Sequence, residues 1–183
     1  MIKHFDVPDD IQIMIRELIY KNQDDFKTIK DNKSTIQRFK SATIPELSTK
    51  EDVVRSIAAR NVNLYRFDQY DVRIKEIQKL LSADKCTNAI MYPKNTIMDW
   101  HTNADIVGER AYIIYTKEPG IFRYRDPKTK EIIDDIDNVG FTGRIFPIGK
   151  TKEDLLWHTV WSPGKRFSFG FNFERDHIHK PVE

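Results

Sequence analysis

The chain has 183 residues, enough for one domain or for a barrel carrying a helical annex. Hydrophobic residues make up 39% and charged residues 32%, and eleven phenylalanines, seven tyrosines and three tryptophans can fill a core, which excludes a disordered chain. A formal charge of +2, with acidic and basic residues interleaved, gives no ground by itself for a nucleic-acid or membrane partner.

The first ten residues carry charges where a secretory signal would have an apolar centre. No apolar run nears the roughly 20 residues that span a bilayer. A reducing cytoplasm is therefore the expected location, with no membrane partner. Pro8-Asp9-Asp10 opens a run with Ile11, Ile15, Leu18 and Ile19 on one face, which predicts a first helix. The stretch 22–47 is polar and poorly periodic and fits a long loop or a short hairpin. Thr49 followed by Asp52 is a capping-box-like start for a helix over 51–60, with Val53, Val54 and Ile57 inward. Residues 70–81 then place Ile74, Ile77, Leu80 and Leu81 on one stripe.

Near residue 85 the pattern changes from helical spacing to alternation, and aromatics concentrate. Cys86, the one cysteine, excludes an internal disulfide and a cysteine-rich zinc site. With no histidine beside it and no nucleophile motif around it, a packed structural thiol is expected. Eight strand candidates follow, at 88–92, 96–101, 110–116, 121–124, 131–133, 142–148, 155–160 and 165–173. Turn residues separate them, among them Pro93-Lys94-Asn95, Pro119-Gly120, Asp126-Pro127-Lys128, Gly149-Lys150 and Ser162-Pro163-Gly164. Short strands at this spacing imply an antiparallel sandwich or barrel, the jelly roll among them, with the helices covering one face. The expected division is a helical annex over 1–85, a barrel over 86–175 and a tail over 176–183.

The five histidines differ in context. His4 lies near a terminus, and His177 and His179 belong to an H-x-H beyond the last strand that reads as a solvated tail. His101 and His158 each end a strand candidate, and each follows a tryptophan, Trp100 or Trp157. One such histidine is more often a hydrogen-bonded core residue; two in matched contexts point to a metal-binding pair. The alternation of Phe167, Phe169, Phe171 and Phe173 is one apolar strand face. Arg110, Arg123, Arg125 and Arg144 either ring the barrel mouth, where they would attract an anionic substrate, or lie on a solvated exterior.

The run from Asn88 through Tyr92-Pro93 to Trp100-His101-Thr102-Asn103-Ala104-Asp105 resembles the second-strand signature of the Fe(II)/2-oxoglutarate-dependent oxygenases. Phe122-Arg-Tyr-Arg-Asp-Pro127 and Gly143-Arg-Ile-Phe-Pro147 are similar to that family's middle strands. Trp157-His158-Thr-Val160, followed by Gly164-Lys-Arg166-Phe-Ser168, is similar to its distal-histidine strand and Arg-x-Ser finish. The elements occur in the family's order over residues 88–173, and the Trp-His-Thr-Asn-x-Asp form is shared with small oxygenase-like proteins encoded by tailed phages.

The resemblance implies a mainly β fold with N-terminal helices around a double-stranded β-helix barrel of the prolyl-hydroxylase and AlkB type. It also implies iron and 2-oxoglutarate as cofactors and molecular oxygen as co-substrate. His101 and His158 would be ligands, because such a centre needs two imidazoles and a carboxylate on one face. The family's carboxylate belongs two residues after the first histidine, where this chain has Asn103. Asp105, at an even offset from His101, is therefore the expected third ligand in place of Asn103, with a turn folding it back; Asp99 is expected to face a neighbouring strand. Arg166 would grip the 2-oxoglutarate carboxylate through a charge-assisted pair, with Ser168 on its strand face and Tyr92 as a second partner. The implied activity is hydroxylation of an unidentified substrate, a nucleobase or a protein side chain, in the host cytoplasm if the source is a phage. Two alternatives stand beside it. One is a barrel that has lost its metal and serves as a phage structural or binding module; the other is a cupin-type metalloenzyme that does not use 2-oxoglutarate.

Overall fold

The computed structural model describes residues 2–45, 62–103, 106–149, 151 and 153–174. The helix expected over 51–60, Asp105, and the tail with His177 and His179 lie outside the described residues.

The i, i+4, i+7 spacing near the N-terminus forms helix α1 (Asp9–Lys21), which buries Ile11, Ile15 and Leu18. Asp9 and Asp10 in its first turn and Lys21 in its last complement the helix dipole. Residues 22–47, expected as a loop or hairpin, instead hold a 3-10 turn (Asp25–Thr28) and the short helix α2 (Ile36–Ser41). Thr35 caps α2 by accepting a hydrogen bond from the Arg38 amide. Helix α3 (Val72–Leu80) starts at Asp71, whose carboxylate accepts from the Arg73 amide, and buries Ile74 and Ile77. Leu80 ends it 46% exposed, while Leu81 just beyond packs partly buried against the core, so of the expected stripe Leu80 alone turns outward.

Among the described residues, ten strands build two antiparallel sheets. They are β1 (Lys3–Phe5), β2 (Tyr65–Arg66), β3 (Lys85–Tyr92), β4 (Thr96–His101), β5 (Gly108–Thr116), β6 (Ile121–Arg125), β7 (Ile132–Ile136), β8 (Gly140–Ile148), β9 (His158–Ser162) and β10 (Arg166–Phe173). The larger sheet runs β1-β8-β5-β10-β3-β2 and the smaller β4-β9-β6-β7. From β3 onward the chain crosses between the sheets at every step but the one from β6 to β7, so two ribbons wind around one axis. That order is a double-stranded β-helix, a jelly roll. The strand expected over 155–160 begins only at His158 and ends at Ser162; Leu155, Leu156 and Trp157 are buried without being strand. The N-terminal part also contributes strands, because β1 pairs with β8 and β2 with β3.

Period-two alternation sorts the large sheet into two apolar faces. Phe167, Phe169 and Phe171 of β10, with Ile113 and Met91, face α1, α3, Phe26 and Phe67. The opposite face of the same sheet, with Ile90, Tyr112, Ile114 and Phe146, meets Met98, Phe122, Tyr124 and Val160 of the small sheet. This second layer is the barrel interior. On the small sheet's outer side, Phe39 of α2 packs on Ile97 and Trp161. Trp100 Nε1–H donates to the Ala42 carbonyl at 3.0 Å, and the Arg38 guanidinium pairs with Asp99 at 2.9 Å. Asp99 thus faces a helix, not the strand expected beside it. Cys86 is buried and free, and burial raises its thiol to about 11. Among the described residues, no helix is long and apolar enough to cross a membrane.

Candidate active site

A β-bulge aims the first histidine. Along β4 and β9, Met98 pairs with Val160, yet the next partners are His101 and His158, so β4 carries one extra residue between them. An extra residue inverts the alternation that follows it. His101 therefore turns toward His158, and their ring centroids lie 4.1 Å apart. His158 starts β9 on the interior face and stacks on Phe122 at 5.0 Å.

Both imidazoles are held in one tautomer by their own strands. His101 Nδ1 lies 2.7 Å from the Asp99 carbonyl and His158 Nδ1 lies 3.0 Å from the Leu156 carbonyl. A carbonyl only accepts, so Nδ1 carries a proton in each ring. Burial, followed by the neighbouring His101, holds His158 well below the ordinary histidine range, so it stays neutral near pH 7. A neutral His158 beside a second imidazole whose Nδ1–H is likewise oriented is an arrangement in which histidines ligate metals.

The position expected for a carboxylate is filled by Asn103. Its side-chain nitrogen lies 3.4 Å from His158 Nε2 and 3.3 Å from the Tyr112 hydroxyl. Among the described residues, no group of three His, Cys, Asp or Glu side chains could hold a metal ion. The two imidazoles suit a divalent cation, and Asn103 offers it a neutral amide oxygen if the amide is turned. A carboxylate third donor is absent among the described residues.

Behind the histidines, one pocket brings together Tyr92, Tyr112, Arg144, Arg166 and Ser168, with about 270 Å³ of empty space, part of it open to solvent. Arg166 and Ser168 share the interior face of β10, and the registers set Tyr92 opposite Arg166 and Arg144 opposite Tyr112. Gly170 makes room for this layer, since a Cβ there would stand 2.7 Å from the Tyr112 ring. Burial raises the Tyr92 phenol to about 12, so it remains a hydrogen-bond donor.

The Arg166 guanidinium is clamped from one side by Asp137, Nε to Oδ2 at 2.7 Å and Nη2 to Oδ1 at 3.4 Å, and it lies over the Tyr92 ring. Arg144 has no exposed side-chain surface and approaches two carboxylates, with Nε 3.3 Å from Asp135 and Nη2 2.9 Å from Asp137. Asp137 is equally buried; desolvation opposes its charge, but Arg166 and Arg144 outweigh that and hold its carboxyl below the ordinary range. Asp137 was not singled out by the sequence, because a turn aspartate carries no periodic signal. Arg144 carried one: it alternates with Thr142, Phe146 and Ile148, an interior face. Arg110 is buried as well, and Arg123 lies outside, paired with Asp134 at 2.6 Å.

No family model matches the chain, and no curated protein matches it. Among solved structures it is similar to a prolyl-4-hydroxylase from Pseudomonas putida, at 12% identity over 94% of this chain and 91% of that one, with a TM-score of 0.48. It is also similar to Peruvianin-I, a cysteine peptidase from Thevetia peruviana latex, at 13% identity over 73% of this chain and 79% of that one, with a TM-score of 0.42. Likenesses this loose carry no weight for activity. The assignment of the barrel stands on its own strand order.

Proposed function

We propose that the chain is a non-haem iron, 2-oxoglutarate-dependent oxygenase that hydroxylates a substrate still to be identified. The observation that carries this reading is the meeting of His101 and His158 at one end of a pocket whose other wall holds buried guanidinia. Iron bound there with 2-oxoglutarate would supply the oxidising chemistry. The chain's own part is to hold and to exclude. His101 and His158 present unprotonated Nε2 atoms, and Asn103 or Asp105 completes the donor set. Arg166, Ser168 and Tyr92 bind the co-substrate carboxylate, and Phe122 and Val160 keep that end of the barrel apolar. A nucleobase or a protein side chain is the substrate this reading takes for a chain that comes from a phage, met in a reducing cytoplasm, the host's in that case.

Anaerobic Fe(II) with 2-oxoglutarate should give a weak visible charge-transfer band that His158→Ala abolishes. Absence of the band, together with unchanged melting in Fe(II) and Mn(II), counts against the enzyme.

A second reading is favoured by one observation. Asn103 stands where a carboxylate is needed, and a neutral triad binds Fe(II) weakly. On that reading the barrel is a binding or structural module that has lost its metal. Protein purified without chelators would then be metal-free, and His158→Ala would leave its binding function intact.

A further inference from the structure

The formal charge of +2 is unevenly placed on the surface. Three strand connections, 93–95, 117–120 and 163–165, come together at one end of the barrel with the loop 29–35. Along β4 and β9, Thr96 pairs with Ser162 at this end and His101 with His158 at the other, so the surface faces away from the histidines. Backbone contacts tie the four segments together. Asn32 N–H donates to the Lys94 carbonyl at 3.0 Å, Ser34 N–H to the Asn95 carbonyl at 3.3 Å and Asn95 N–H to the Pro163 carbonyl at 3.4 Å. The Thr116 hydroxyl, at the head of 117–120, donates to the Lys165 carbonyl at 3.2 Å.

The charged residues on these segments are Lys30, Lys33, Lys94, Lys117 and Lys165, with Asp31 and Glu118. Five positive charges against two negative give +3 here, so in a chain of +2 the remainder sums to −1. All five lysines are exposed. Among the described residues none of them has a carboxylate within ion-pair distance, whereas Lys21, Lys27, Lys79 and Lys85 each have one. Asp31 turns its carboxylate onto the Lys94 amide at 3.2 Å and so serves the turn instead of a lysine. Like charges gathered without counter-ions set up a field that draws an anionic partner.

What the surface lacks selects that partner. None of the exposed large apolar residues lies on these segments. A membrane-binding surface inserts apolar side chains, and protein interfaces favour aromatics and are poor in lysine. The four segments also carry no aromatic ring on which an unpaired base could stack. Compact ammonium groups without apolar or stacking neighbours suit a row of phosphates, which they bind as point charges.

We infer that this end of the barrel is a docking surface for the phosphate backbone of duplex nucleic acid, held through Lys30, Lys33, Lys94, Lys117 and Lys165 without regard to base sequence. The contact uses none of the residues assigned to the pocket, so it stands or falls apart from the oxygenase reading.

The test titrates a fluorescein-labelled DNA duplex of arbitrary sequence, about two helical turns long, with the full chain at a series of salt concentrations. Wild-type protein should bind with a Kd of roughly 1–100 μM near physiological salt, and log K should fall linearly with log salt at a slope of about −3 to −4.5, about −0.9 per phosphate neutralised. Lys33→Gln combined with Lys94→Gln should weaken binding by at least about tenfold and flatten the slope by about two units. Both side chains are exposed, so the fold is kept, and an unchanged melting temperature checks this. Lys128→Gln removes an exposed lysine at the β6–β7 turn and should leave affinity and slope as in the wild type. No duplex binding by the wild type, or a slope that the double substitution does not change, overturns the surface. A single strand of the same length, polyglutamate, or vesicles rich in anionic lipid bound as tightly as the duplex overturns the choice of partner.

Discussion

Asn103 holds its side-chain nitrogen 3.4 Å from Nε2 of His158, so an amide sits beside the lone pair that a metal would use. An amide oxygen is a neutral donor, and a carboxylate in the same place would add a negative charge to the donor set. Asn103→Asp should therefore tighten Mn(II) binding by at least about tenfold, since even groups one shell further out change metal affinity by ~10–100-fold. Calorimetry or electron paramagnetic resonance of bound Mn(II) reads this directly. If Asn103→Asp changes nothing while Asp105→Ala abolishes binding, the third ligand is Asp105.

Asp137 is the hinge of the buried charge cluster, with contacts of 2.7 Å to Arg166 and 2.9 Å to Arg144. Replacing it by asparagine leaves two buried guanidinia without their shared counter-ion, a change expected to cost about 3–5 kcal/mol. The sign with pH follows from the direction of the shift. Its folded-state pKa is held below the ordinary 3.8, because attraction by Arg166 and Arg144 outweighs desolvation. The stabilisation it gives is complete above that value and is lost as acid protonates the folded protein. Denaturant melts of wild type and Asp137→Asn should thus differ most at neutral pH and converge in strong acid. A difference that grows as pH falls would contradict the assignment.

The approach of Asp137 depends on a missing side chain. A Cβ on Gly120 would stand 2.7 Å from Asp137 Oδ2 and 2.8 Å from the Trp161 carbonyl. The Asp137 amide also donates to the Gly120 carbonyl at 3.0 Å, which ties the two turns together. Gly120→Ala should therefore cost about 1–3 kcal/mol, as overpacking does. It should also weaken 2-oxoglutarate binding, because the carboxylate that positions Arg166 is pushed aside. Wild-type melting and wild-type 2-oxoglutarate affinity in this variant would show that the turn relaxes freely.

The parts of this fold that repeat were legible, and the parts made by single exceptions were not. The alternation of Phe167, Phe169 and Phe171 marks an apolar strand face, which the structure packs against α1 and α3. His101 and His158 were singled out by their shared context, and they do meet. The bulge that turns His101 inward leaves no periodic trace, since it is one residue that breaks the period. Strands β1 and β2 have three and two residues, too few to show alternation. Leu155-Leu156-Trp157 is apolar without being strand, which is why β9 was expected to start early. Arg144 shares an interior face with Phe146 and Ile148, but a charged residue on such a face reads equally well as a register error or as solvated.

Helix α2 was hidden in the stretch expected as loop or hairpin, and its fully buried apolar anchor is Phe39, with Ile36 packed on the same cluster. That ring is fully buried against Ile97 and Trp161, and the Arg123 guanidinium lies 4.6 Å from its centroid on the side of Asp134. Ile97 belongs to β4 and Trp161 to β9, the two strands that carry His101 and His158. Phe39→Ala should cost about 3–5 kcal/mol, the usual range for a buried phenylalanine. If α2 braces the metal strands, Mn(II) affinity should also fall, even though the cavity lies on the far side of the sheet from the imidazoles. If stability drops while Mn(II) and 2-oxoglutarate bind as in the wild type, α2 protects the core without positioning the site.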